Sequence, residues 1–172
     1  MELPPDEVMK VLQDYQGRVC PLIAATGGSI DKFLGDGILA SFGAVMPSAT
    51  AAADALRAAD AVMAAAAAWR EERRAAGLPS LEIGLAVASG RVVFGAVGGG
   101  ERLEFTVIGD AVNLAAKLEK HNKEEGTRAL TDGGTYALAE RQGYRASTAP
   151  ERRPNRKVAG VAESVEIVVL AA

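Results

Sequence analysis

Residues 27–42 read Gly27-Gly28-Ser29-Ile30-Asp31-Lys32-Phe33-Leu34-Gly35-Asp36-Gly37-Ile38-Leu39-Ala40-Ser41-Phe42. Two short apolar segments flank Gly35-Asp36-Gly37, and an Asp-Gly pair between such segments signals a β-hairpin. Upstream, Val8, Leu12, Tyr15, Val19 and Leu22 recur at helical spacing. That helix starts at Asp6 and Glu7, ends at Gly27-Gly28, and carries Pro21 late in its run, which predicts a kink. Downstream, Ser48 or Thr50 is placed to cap a long alanine-rich helix. Its predicted apolar face is Leu56, Ala59, Met63 and Ala66, and it closes in a charged turn over residues 70–74 before Gly77.

The pattern then turns to strands over residues 81–88, 91–97 and 103–108, the last two joined by Gly98-Gly99-Gly100. Gly109-Asp110 opens a helix running to about Lys123, with Ala111, Leu114, Ala115 and Leu118 on one face and Asp110, Asn113, Lys117 and His121 on the other. A strand over 127–130, a short helix over 132–141, and terminal strands around Tyr144 and over 165–170 complete the chain, with the basic, Pro154-containing segment 152–157 expected as a mobile loop. This order predicts an α+β chain, a single domain over residues 1–172. Its helices lie over one face of a mostly antiparallel sheet.

Composition narrows the function. At 172 residues the chain is long enough for one hydrophobic core. A net charge of −3 and 5% aromatic content argue against a nucleic-acid binder that needs a basic surface and stacking rings, so an RNA-binding sandwich ranks last. Cys20 is the only cysteine and His121 the only histidine, which excludes an intrachain disulfide, a cysteine cluster and a multi-histidine metal site, and fits a reducing cytoplasm. The apolar stretch from Ala49 to Trp69 holds Asp54, Arg57 and Asp60, charges that a membrane helix would not carry without special reason. The opening Met1-Glu2-Leu3-Pro4-Pro5 has neither the basic region nor the apolar run of a signal peptide.

Two places could carry chemistry. Asp36, on a glycine-flanked turn, could offer a carboxylate to a hard cation such as magnesium, though aspartate is equally favoured in such turns for its own sake. Asn113 and Lys117 share a helix face, where an amide and a cation could hold a sugar oxygen and a phosphate or simply form a solvated polar face.

In this order three segments resemble the class III adenylate and guanylate cyclases. They are Lys32-Phe33-Leu34-Gly35-Asp36 at the hairpin, the strand pair Gly84 to Gly95, and Thr106-Val107-Ile108-Gly109-Asp110 followed by Val112-Asn113 and Ala115-Ala116-Lys117. The match runs across roughly the whole chain. It implies a ferredoxin-like α/β sandwich of the class III cyclase type, N-terminally truncated. The family's first strand, aliphatic-Phe-Ala-Asp-Ile followed by Gly-Phe-Thr, is not in this sequence. That strand is central in the family's sheet, so its absence is expected to leave two strand edges unpaired and to remove one metal ligand.

The resemblance assigns roles. Asp36 is one of two metal-binding aspartates for a pair of Mg²⁺ or Mn²⁺ ions. Lys32 and Thr106 match the purine-selecting pair, with Lys32 donating to adenine N1 and Thr106 accepting from the N6 amino group, which implies ATP over GTP. Asn113 matches the asparagine that orients the ribose. Lys117 stands where the family has an arginine that stabilises the pentavalent phosphate; lysine keeps the charge but loses the planar two-pronged geometry. Lys157 is the nearest candidate for the family's phosphate-holding lysine. The implied activity is conversion of ATP to 3′,5′-cyclic AMP and pyrophosphate in intracellular signalling, at sites shared between two domains paired head to tail, as a homodimer or with another cyclase domain. The alternative is a catalytically inactive cyclase-homology domain that pairs or regulates.

Overall fold

The computed structural model describes residues 5–99 and 102–172. The opening Met1-Glu2-Leu3-Pro4, Gly100 of the expected glycine turn, Glu101, and the side chains of Pro5, Asp6, Arg102 and Leu103 lie outside what it describes. Twelve elements follow in order: α1 (Pro5–Ala25), β1 (Ser29–Leu34), β2 (Gly37–Ser41), α2 (Ala51–Ala75), β3 (Leu85–Val87), β4 (Val93–Gly99), β5 (Arg102–Ile108), α3 (Asp110–Glu125), β6 (Ala129–Asp132), α4 (Gly133–Arg141), β7 (Glu151–Arg156) and β8 (Val165–Ala171).

The strands form three separate groups: the β1–β2 hairpin, the β4–β5 ribbon, and a four-stranded sheet in the order β3-β6-β8-β7. All pairings are antiparallel except β3 with β6. The hairpin and the start of β3 rest on the same helical floor. Ile30, Ile38, Ala40 and Phe42 from the hairpin, and Ile83 and Leu85 from the β3 region, pack against Val19, Ile23 and Val62 of α1 and α2. β1 lies toward β5 without a ladder between them, and β3 ends one side of the four-stranded sheet.

The four-stranded sheet is covered on both faces rather than one. Consecutive residues Ile167, Val168 and Val169 of β8 are all buried. Strand side chains alternate in direction, so such a run has to be buried on two sides. Val168 packs with Ala52, Ala53 and Leu56 of α2, Tyr136 and Ala139 of α4, and Tyr144. Ile167 and Val169 pack with Leu118 of α3, Leu130 of β6 and Val158. The burial on α2 is correspondingly wider than one stripe, and includes Ala52, Ala53, Ala55, Leu56, Ala58, Ala59, Val62 and Trp69.

Several local expectations change for identifiable reasons. α1 continues through Pro21; Gly17, whose carbonyl loses its helical donor, is exposed to water. Neither Ser48 nor Thr50 caps α2 through its side chain: the Thr50 hydroxyl is turned to Asp54 (2.7 Å). Tyr144 is not in a strand; it lies edge-on to Tyr136 with ring centroids 5.9 Å apart, and its hydroxyl donates to Asp60 at 2.9 Å. The segment around Pro154 is strand β7, at the sheet edge. Proline is tolerated there because an edge strand has N–H positions with no ladder to serve. The register shifts between Arg153 and Arg156, where Asn155 has φ 54°. His121, expected on the polar face of α3, is buried at 5% exposure.

The buried end of α3 is fastened to β7 by charge. His121 Nε2 lies 3.1 Å from Glu125 Oε1, and Arg153 Nη1 donates at 2.8 Å both to the Glu125 carbonyl and to its carboxylate. Burial pushes the Glu125 carboxyl up, but the Arg153 hydrogen bond and the charges on Arg156 and His121 outweigh it and hold the group below its ordinary value of 4.5. A carboxyl whose folded pKa is depressed stabilises the fold above its unfolded pKa and loses that contribution as pH falls through the folded value. Glu125→Gln should therefore cost about 1–3 kcal/mol at neutral pH, and the gap between variant and wild type should close as pH drops below 4.5; urea unfolding across an acid series measures it.

Candidate active site

The hairpin turn is Leu34-Gly35-Asp36-Gly37, with Leu34 paired to Gly37. Gly35 takes φ 64°, a left-handed conformation that costs glycine least. Asp36 is thereby held at the exposed tip. Among the described residues no three acidic, cysteine or histidine side chains gather to hold a metal. Asp36 presents one exposed carboxylate there, an oxygen donor of the kind a hard divalent cation takes.

Lys32 and Thr106 are brought together because β1 packs on β5. Lys32 Nζ donates to Glu104 Oε1 at 2.6 Å, with 23% of the lysine side chain exposed. Thr106 Oγ1 donates to Asp31 Oδ2 at 3.1 Å. Glu104 and Thr106 are two residues apart on β5 and so share one face. Directly across the ribbon, Gly95 pairs with Thr106, and a Cβ placed on Gly95 would meet nothing within 4 Å. The face beside the Thr106 hydroxyl is open.

The third component is α3. Gly109 joins it to β5, and the junction packs so closely that a Cβ on Gly109 would stand 2.6 Å from the Arg91 carbonyl oxygen and 3.2 Å from Val92 Cα. Glycine is required there by approach. Leu118, fully buried against β6 and β8, fixes the inner face of the helix, so Asn113 points outward and is exposed, with Lys117 one turn on and half-buried. Lys117 Nζ donates to the Gly160 carbonyl. Gly160 has φ 76°, and a Cβ there would lie 3.2 Å from Lys117 Cε. The turn holding Gly160 is anchored by buried Val158, whose carbonyl accepts from Val161 N at 3.0 Å. Lys157 is exposed just after β7, at the start of that turn.

The structure therefore forms two groupings. Lys32 and Thr106 each bond across the hairpin–ribbon contact, to Glu104 and Asp31, and Lys117 meets the turn that follows Lys157. Asp36 makes no side-chain hydrogen bond or ion pair among the described residues, and joins neither group. Two cavities, of about 130 and 450 Å³, lie along α2 and at the C-terminal end of α3. None of the six candidate residues lines either one. Asp31 and Glu104 are the partners that sequence reading missed. Period-two alternation puts Glu104 beside Thr106, but it puts Asp31 on the side of β1 opposite Lys32, so only an irregularity in β1 could reveal Asp31.

Comparison with known proteins gives a consistent answer. The family described as the adenylate and guanylate cyclase catalytic domain matches residues 1–164. Adenylate cyclase 1 of Rhizobium meliloti is 37% identical over 133 residues, which is 77% of this chain and 20% of that protein. An adenylate cyclase of Anabaena cylindrica is 36% identical over 132 residues, 74% of this chain and 25% of that protein. The chain thus spans about a fifth to a quarter of the length of these curated relatives. Among solved structures, the guanylyl cyclase Cya2 superposes with a TM-score of 0.80 at 30% identity, covering 97% of this chain and 81% of that one. The adenylyl cyclase CyaB from P. aeruginosa gives 0.76 at 26%, covering 98% and 84%. Among the described residues no helix is long and apolar enough to cross a membrane. The chain belongs to the adenylate and guanylate cyclase catalytic-domain family, the class III nucleotide cyclases.

Proposed function

We propose that this chain is the catalytic domain of an adenylate cyclase, which closes ATP into 3′,5′-cyclic AMP with release of pyrophosphate. The observation that carries the reading is the pair of bonds between β1 and β5, Lys32 to Glu104 and Thr106 to Asp31, which set Lys32 and Thr106 at one hairpin–ribbon contact beside an open face. An ammonium can only donate and suits unprotonated adenine N1, and a hydroxyl oxygen can accept from the N6 amino group. Guanine offers the opposite pattern, a donor at N1 and an acceptor at O6. Curated adenylate cyclases among the relatives support the same choice.

The chemistry is an in-line attack of the ribose 3′-oxygen on the α-phosphorus, forming that P–O bond while the bond to the pyrophosphate oxygen breaks. Protein catalysis of such transfers is mainly positioning and charge stabilisation. Asn113, exposed on the first turns of α3, holds the ribose. Lys117 and Lys157 bring positive charge to the phosphates. Asp36 is one oxygen ligand for two divalent cations, which when bound neutralise the triphosphate and lower the pKa of the 3′-hydroxyl.

Neither of the two cavities described is lined by these residues, which suits a site completed between two domains head to tail. The β4–β5 ribbon supplies a surface for such pairing. Val93, Val97, Phe105 and Ile108 are exposed on it, and Phe105 stacks on Phe94 with centroids 6.1 Å apart. A second reading, an inactive homology domain, is favoured by one observation: Lys117, where the family's arginine is expected, is drawn to the Gly160 carbonyl.

Four outcomes test these readings. Lys32→Glu with Thr106→Cys should move nucleotide preference toward GTP by tenfold or more, measured as cyclic product by mass spectrometry; an unmoved preference rejects the base assignment. Asp36→Ala should abolish turnover with Mg²⁺ or Mn²⁺ while leaving the thermal melt unchanged. Wild-type protein that binds ATP and forms no cyclic AMP with either ion would favour the inactive reading. Phe105→Glu should convert a dimer to a monomer in sedimentation velocity.

A further inference from the structure

β1 departs from regular pairing at one residue. Ile30 pairs with Ala40 and Lys32 with Leu39, so Asp31 is an extra residue with no partner on β2. Neighbours on a regular strand face opposite sides, and a bulge re-aims a side chain. Here the bulge lets two consecutive residues reach the same face of β5: Lys32 takes Glu104 and Asp31 takes Thr106.

A threonine hydroxyl has one hydrogen and two lone pairs. Free to rotate, it could donate to guanine O6 as readily as accept from adenine N6, and so could not tell them apart. Asp31 removes that freedom. A carboxylate only accepts, so the Thr106 hydrogen is committed to Asp31 at 3.1 Å. Among the described residues the Thr106 hydroxyl also comes to 3.5 Å from the Val107 carbonyl, a longer and weaker alternative than Asp31. What Thr106 turns toward the open face over Gly95 is then lone pairs alone.

We propose that Asp31 is a specificity-determining positioning residue. By holding the Thr106 hydroxyl hydrogen it makes Thr106 an obligate acceptor, so the site takes a purine bearing an amino group at C6 and rejects one bearing a carbonyl there. The inference rests on the assignment of Lys32 and Thr106 to the base. It adds that the discrimination at C6 is set one residue away, by a group that never touches the nucleotide.

ATP and ITP are the probes, because their bases differ only at N1 and C6. Binding of each to the purified protein is read by displacement of a ribose-labelled fluorescent ATP. Wild type should prefer ATP. Asp31→Asn, whose amide can donate to Thr106 and free its hydrogen, should reduce the ATP-to-ITP preference roughly 10–100-fold, mostly through tighter ITP binding. Asp31→Ala, which leaves the hydroxyl to rotate, should reduce it in the same direction. Each variant is read only if its thermal melt matches wild type. In a Thr106→Val background the same changes at Asp31 should have no effect on preference, since no hydroxyl remains to orient. If Lys32→Glu with Thr106→Cys shifts the preference while both Asp31 variants keep that of wild type, the role of Asp31 is overturned and the base assignment stands. Equal weakening of ATP and ITP by both Asp31 variants points to a merely structural part and overturns it too. A wild-type protein that does not distinguish ATP from ITP overturns both the inference and the assignment beneath it.

Discussion

The structure depends on burial of β8 from two sides. Ile167, Val168 and Val169 leave no face of that strand for water, and each such side chain gains about 1.5–3 kcal/mol by being covered. One face takes α2 and α4. The other takes α3 and the turn after β7. Because Leu118 must point inward to meet that second face, Asn113 is turned out, and Lys117 is brought against the turn at Gly160. A packing requirement in the last strand thus sets which side of α3 is available for chemistry.

The other half of the candidate site has a different foundation. The hairpin stands on α1 and α2 through Ile30, Ile38 and Phe42, and its functional residues are placed by contact with β5 rather than by the four-stranded sheet. Two glycines make this possible in different ways. Gly95 leaves space opposite Thr106, while Gly109 permits the tight junction with Arg91 and Val92 that turns β5 into α3. The ribbon is the physical link between the two halves, since it carries Thr106 at one point and launches α3 from its end.

Much of this was legible in the sequence. Local turn chemistry and periodicity marked the glycine-flanked Asp36 and the polar face of α3 with Asn113 and Lys117, while the fold type and the roles of Lys32, Thr106 and Lys157 came from the family resemblance of the ordered segments. What escaped depended on tertiary partners. His121 has a polar side chain on a polar stripe, and its burial depends on Glu125 and Glu124 beside its two ring nitrogens and on Arg153, which holds Glu125. The 152–157 segment carries loop composition, yet an edge position beside β8 lets Pro154 sit in a strand. The unbroken apolar run of β8 did announce two-sided burial, and the expectation of helices over a single face overlooked it. Asp31 was beyond reach, since no glycine marks the bulge that turns it toward Thr106.

The division of the strands into three groups has a consequence for how the molecule breathes. Backbone amides along β6 and β8 sit in a ladder closed by packing on both faces, so their exchange with solvent deuterium requires opening of the whole sheet. The hairpin has a ladder only within itself and shares only a helical floor with β3. It can lift from α1 and α2 without disturbing β8, and its amides should exchange through that smaller, less costly opening. Lys32, Asp31 and Asp36 all ride on this lighter unit, whereas Asn113 and Lys117 ride on the heavier one, so the two halves of the proposed site belong to cooperative units of unequal stability.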